Sequence, residues 1–180
     1  MFGRRAGIAA AEYAKTVDFA PLPEDPEALV RDQLEGLLTS TGTERVVDIR
    51  RALQETMDMN AQVYRTEATL KQALSDVQEL RERFRNVSVQ DKGKRYNTDL
   101  LETVELGFLL ELAEVVVVGA LARKESRGGH AREDYQARDD VNFMRHTMAY
   151  RQVGAAGDTS VRLDYKPVVV TRYQPMERKY

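Results

Sequence analysis

The chain has 180 residues, enough for one medium domain that buries its own core without staples. Charged residues make up 31% and hydrophobic residues 42%, with a net charge of −2, which excludes a disordered chain and a global field for nucleic acid or anionic membrane. The absence of cysteine excludes disulfides, iron–sulfur ligation and a thiol nucleophile, and two histidines, His130 and His146, cannot build a histidine-rich metal site.

Residues 2–17 are alanine-rich, with Ile8, Tyr13 and Val17 at helical spacing and no Ser, Thr, Asp or Asn in front to cap them. The two arginines after Met1-Phe2-Gly3 are not followed by an apolar run, so this is not a secretory leader. Pro21 and Pro23 make residues 18–24 a linker. Asp25-Pro26 predicts a second helix to about Leu38, with Pro26 at the first helical position. Thr41 and Glu44 have capping-box spacing and predict the start of a third, with Val46, Ile49, Leu53, Met57 and Val63 on its apolar face. A fourth helix is predicted from about Thr66. Its positions Leu70, Ala73, Val77, Leu80, Phe84 and Val87 form a heptad seam between charged neighbours.

A polar connection, residues 89–96, leads to Asn97 or Thr98 as the cap of a long apolar helix ending near Lys124. Glu102, Glu105, Glu111 and Glu114 exclude a membrane span there, so the helix is expected at the bundle centre, buried on most sides. Residues 125–140 lack periodicity and are expected to be irregular. His146 to Arg151 and Ser160 to Tyr165 read as extended, separated by a turn over residues 154–158, and Val168 to Val170 as a further short strand. The fold expected is mainly α: an up-and-down bundle of three to four helices, then a charged loop and a small extended tail.

The loop holds the densest chemistry: Glu125-Ser126-Arg127-Gly128-Gly129-His130-Ala131-Arg132-Glu133-Asp134-Tyr135. Three readings are open. Gly128 and Gly129 could turn backbone amides onto an anion, with Ser126, Arg127, His130 and Arg132 around it. His130 could be a general base. The third is a structural loop whose arginines pair with Glu125, Glu133, Asp134, Asp139 and Asp140, the usual fate of a charge cluster. A Ser126–His130–Asp134 triad lacks a nucleophile elbow. Asp134, Asp139 and Asp140 lack calcium-loop spacing, Met57 and Met59 read as core filler, and no glycine-rich phosphate loop exists.

The run from Ala122 to Asp140, closing on Ala137-Arg138-Asp139-Asp140, resembles the C-terminal domain of the succinate dehydrogenase and fumarate reductase flavoproteins. L-aspartate oxidase and adenylylsulfate reductase are similar there. Phe2-Gly3-Arg4-Arg5-Ala6-Gly7 agrees, as do Leu53-Gln54, Met57, Val63, Tyr64-Arg65 and Glu67. The tail, Asp164-Tyr165-Lys166-Pro167-Val168 through Lys179-Tyr180, resembles the succinate dehydrogenase type more than the aspartate oxidases. Departures are Gln136 for the family's usual proline, Gly129 for alanine and Phe143 for tryptophan.

The resemblance implies a division into residues 1–20, the remnant of the last flavin-domain helix, residues 21–124, the bundle, and residues 125–180, the loop and extended subdomain. It implies a parent subunit that binds FAD, oxidises succinate to fumarate and passes electrons to an iron–sulfur subunit and quinone. That parent would be peripheral on the cytoplasmic face of a membrane. The family's flavin-linking and substrate-binding residues all lie upstream of the matching region, so no catalytic, cofactor-binding or metal-binding residue is carried over. The chain alone is then expected to be structural, to bind no cofactor and to have the flavin-binding part of its own subunit and the iron–sulfur subunit as partners, with no nucleic acid and no insertion into the membrane. The rival class is an independent interaction module that captures an anion through Ser126 to Arg132. Fumarate reductase or L-aspartate oxidase chemistry is the alternative within the family.

Overall fold

The structure is a computed structural model that describes residues 2–154 and 159–176. The chain divides into two compact units, Met1–Glu35 and Gly36–Tyr180.

In the first unit, α1 (Phe2–Ala14) has no buried residue. It stops earlier than its periodicity predicts, because Lys15 and Thr16 turn back onto the carbonyls of Glu12 and Tyr13, tightening the last turn. Residues 24–27 form a turn rather than a first helical turn, so Pro26 precedes α2 (Ala28–Thr39). Arg31 holds this turn by reaching back to Asp25 and Glu27.

The second unit is built on three helices, α3 (Val46–Asn60), α4 (Glu67–Phe84) and α5 (Thr98–Ala122), each packed against the other two. The predicted seams meet as expected. Ile49 and Leu53 of α3, Val77 and Leu80 of α4, and Leu106 and Leu110 of α5 close one core cluster; Leu70, Ala73, Val117 and Ala120 continue it toward the other end. Thr66 caps α4 by accepting from the Thr69 amide while the Thr69 side chain accepts from the Thr66 amide. Asn97 caps α5 through the Leu100 amide. Val63 and Met59, by contrast, are exposed.

The Thr41–Glu44 capping box does not form. Arg45 occupies the cap position of α3 and makes no side-chain cap bond. Glu44 is taken by a longer-range partner: its carboxylate receives Arg83 Nε at 3.1 Å and Nη2 at 2.9 Å, and its backbone pairs with Asn86 and Ser88. A bidentate guanidinium contact plus two backbone bonds outweighs one local cap.

Three further expectations are corrected. Helix α5 ends at Ala122 and is buried on one side only. Leu101, Phe108, Leu112 and Val116 lie exposed along its other side at helical spacing. Two neighbouring helices cover one seam and the hairpin only part of the remainder. The hairpin is β3 (Arg145–Val153) antiparallel to β4 (Thr159–Pro167), in register from Arg145↔Pro167 to Val153↔Thr159. Of the turn predicted between them, residues 155–158 lie outside the described residues. No strand forms at residues 168–170: β3 begins at Arg145, already opposite Pro167, and offers no partner beyond it. Residues 125–140 are more ordered than their lack of periodicity suggests. Arg127 and His130 exchange both backbone hydrogen bonds across a turn with Gly128 at φ 61°, and β2 (Ala131–Arg132) pairs in parallel with β1 (Tyr64–Arg65).

Candidate functional site

The charged loop lies where the C-terminus of α5, the start of α4 and the base of the hairpin converge. Its centre is Glu125, whose side chain is fully buried. Arg123 reaches one carboxylate oxygen at 2.5 Å, Arg127 grips both at 2.8 and 3.0 Å, and the Asp139 amide donates at 2.8 Å. Burial pushes this carboxyl up, but the donors from Arg127, Asp139 and Arg123 prevail and hold it below the usual carboxylate range. Arg127 continues to Asp140 at 2.6 Å, and the two acids raise its own pKa. Asp140 also receives Arg138.

Arg132 is the second buried charge. It donates to Asp134 through Nε and Nη2, both at 2.8 Å, and through Nη1 to the Ala120 carbonyl at 3.0 Å near the end of α5. Asp134 also accepts from the Glu67 amide, serving the first turn of α4. Its carboxyl is held down to about 2, chiefly by the Arg132 bond.

Ser126, Arg127, Gly128, Gly129, His130 and Arg132 are therefore together in one loop, but their functional groups do not converge on one point. Ser126 Oγ accepts from the Arg132 amide and faces the Arg132 and Tyr135 carbonyls. His130 sits between Arg65 and the Arg123 carbonyl. Asp134 is committed to Arg132, so the Ser126–His130–Asp134 triad is not assembled. Both guanidiniums face internal carboxylates, with which an incoming anion must compete. Glycines 128 and 129 are exposed. Of the acids expected to pair, Asp139 instead accepts from the Asn142 and Val141 amides. Among the described residues no group of three His, Cys, Asp or Glu could hold a metal ion.

A second feature escaped the sequence reading. Glu114, buried in α5, pairs with Arg81 of α4, and Arg81 also donates to Thr159 at the start of β4. Beside this pair an apolar cleft of about 350 Å³ opens between α5 and the hairpin, lined by Phe108, Leu112, Val115 and Val161. Arg151 and Glu111 pair at 3.0 Å beside it. The available signal was a lone glutamate on the buried side of an apolar helix, which needs a cation opposite.

The described residues do not fit a flavin. Among the described residues parallel pairing is limited to the two-residue β1–β2 contact and the isolated Glu44–Val87 bridge, without the crevice between parallel strands and glycine-rich turn that cradle a dinucleotide.

A profile of the family described as fumarate reductase flavoprotein C-term matches residues 50–180. The chain is similar to the fumarate reductase flavoprotein subunit of Haemophilus influenzae, 38% identical over 184 residues covering 100% of this chain and 30% of that protein. It is 40% identical to the succinate dehydrogenase flavoprotein subunit of Rickettsia bellii over 172 residues, 95% of this chain and 28% of that protein. Among solved structures, E. coli quinol fumarate reductase superposes with a TM-score of 0.87 at 39% identity, covering 98% of this chain and 30% of that one. The Mycobacterium smegmatis Sdh1 complex in the apo form gives 0.82 at 30% identity, covering 95% and 29%. The chain thus spans about three tenths of the length of the curated relatives it matches.

Proposed function

The chain belongs to the C-terminal family of the fumarate reductase and succinate dehydrogenase flavoproteins, and from that premise we propose that it is the structural helical part of such a subunit. In this reading it supports a flavin-binding part that interconverts succinate and fumarate through FAD. It contributes packing and position, with no group in the reaction. The relatives carry both names, and the tail resembles the succinate dehydrogenase type more than the aspartate oxidases. Residues 1–20 belong with the flavin-binding part, residues 21–124 form the bundle, and residues 125–180 the loop and extended subdomain. The loop from Ser126 to Arg132 acts as a framework joining bundle and hairpin.

The observation that carries this reading is the apolar surface left uncovered. Helix α1 buries nothing, and Leu101, Phe108, Leu112 and Val116 form an open stripe on α5. Contiguous apolar surface of this kind marks an interaction face. Its partners are the flavin-binding part of the same subunit and an iron–sulfur subunit, with the assembly peripheral on the cytoplasmic face of a membrane. Among the described residues no helix is long and apolar enough to cross a membrane.

The test combines the purified chain with a flavin-loaded N-terminal part of the Haemophilus influenzae relative. Fumarate reduction by a dye donor is then followed with and without the chain. We expect no turnover from the chain alone, association with the flavin part, and loss of association in Leu112→Lys. Turnover by the chain alone, or no association, contradicts the reading.

A further inference from the structure

His130 is held between two groups that fix its proton. Its Nδ1 lies 3.0 Å from Arg65 Nη1, and its Nε2 lies 3.0 Å from the Arg123 carbonyl oxygen. A guanidinium can only donate and a carbonyl can only accept. The ring must therefore be neutral, with its hydrogen on Nε2 and its Nδ1 lone pair turned to Arg65. A doubly protonated ring would set N–H against N–H and cation against cation at that distance.

The three groups sit on three elements. Arg65 belongs to β1 and Arg123 terminates α5, while His130 directly precedes β2. The same segment is closed by the Glu133 amide donating to the Arg65 carbonyl at 2.8 Å. Arg123 in turn donates to the carbonyls of Phe143 and Arg145 and to Thr147 Oγ1, at the base of the hairpin. One imidazole thus joins the crossover before α4, the end of α5 and, through Arg123, the hairpin.

The charged groups acting on the ring are Arg65 from β1, Arg132 from β2 and Arg123 from the end of α5, all cations. The neighbouring carboxylates are engaged elsewhere: Glu125 by Arg123 and Arg127, Asp134 by Arg132.

We propose that His130 is an acid-sensitive latch: its neutral ring clasps Arg65 and closes β1 on β2, and protonation releases that contact. Burial first, then the three arginines, hold the ring's proton affinity below the ordinary value of 6.5, against the raising effect of the Arg123 carbonyl. Because the folded state binds the proton less readily than the unfolded one, the clasp is intact above about pH 6.5. It weakens as pH falls from there toward the folded-state pKa, by up to about tenfold in the closing equilibrium per pH unit.

Nitrogen and proton NMR of the 180-residue chain decides the matter, since only two imidazoles are present and His146→Gln assigns them. The expected result is a neutral His130 protonated at Nε2 and titrating below 6.5. Protection of the Glu133 amide, corrected for intrinsic exchange, should fall between pH 7 and pH 5.5, by up to about tenfold. His130→Gln, which can still accept from Arg65, should lose that pH dependence. A proton on Nδ1, a titration at or above 6.5, unchanged protection, or the same dependence in a folded His130→Gln chain overturns the proposal. If the variant does not fold, the tautomer and titration of the unaltered chain still decide.

Discussion

Asp134 binds Arg132 and the amide of Glu67 at the same time, so a single carboxylate joins a fully buried guanidinium to the N-terminus of α4. Arg132 extends the connection to the Ala120 carbonyl in the last turn of α5. Arg132→Met should therefore cost about 3–5 kcal/mol, because it strands a carboxylate and a buried carbonyl together. Asp134→Asn keeps an acceptor for Glu67 and is expected to cost less. Urea unfolding of the two variants checks the order.

Acid should loosen this region in sequence. The carboxyls of Glu125 and Asp134 both titrate lower in the folded chain than in the unfolded one, Asp134 at about 2. Their stabilisation is complete above the ordinary values of 4.5 and 3.8 and is lost as pH falls below them. The loss that begins as pH falls below 6.5 belongs to His130. Thermal unfolding followed from pH 8 to pH 3 is expected to show a loss that starts below pH 6.5 and a further loss below the ordinary carboxyl values, of which His130→Gln removes the first.

The buried pair of Arg81 and Glu114 should behave asymmetrically. Replacing Glu114 alone by Gln, or Arg81 alone by Met, leaves one partner uncompensated and should cost about 3–5 kcal/mol. Replacing both together should cost less than the sum. A double-mutant cycle measured by denaturant unfolding reads the coupling directly.

Leu110 and Leu112 stand two residues apart on α5 with opposite environments, 1% and 60% exposed. Leu110→Ala should destabilise the chain by about 2–5 kcal/mol by opening a cavity. Leu112→Ala should change stability by less than about 0.5 kcal/mol and instead reduce association through the apolar stripe. Calorimetry and light scattering on the two variants separate these effects.

Two glycines make a similar contrast. A Cβ at Gly42 would run into the Asn86 carbonyl, which is bonded to the Glu44 amide. Gly42→Ala should therefore break that crossing and destabilise. At Gly119, inside α5, nothing lies within 4 Å of a Cβ, and Gly119→Ala should stabilise by roughly 0.5–1 kcal/mol through helix propensity. Melting temperatures give both signs.

Periodicity in the sequence by itself determined α3, α4 and α5, most of their inner faces and the cap at Asn97, because spacing and capping depend on residues within a few positions of each other. It also determined the two strands of the hairpin, and its motifs carried the family. Tertiary structure alone decided where the charges went. Glu44 left its local cap for Arg83, thirty-nine residues away. Glu114 found Arg81, and His130 found Arg65, contacts made only after the chain has closed on itself. The open side of α5 was illegible for the same reason: an apolar residue has the same sequence whether or not a neighbour covers it, and only the packed bundle shows which face remains uncovered.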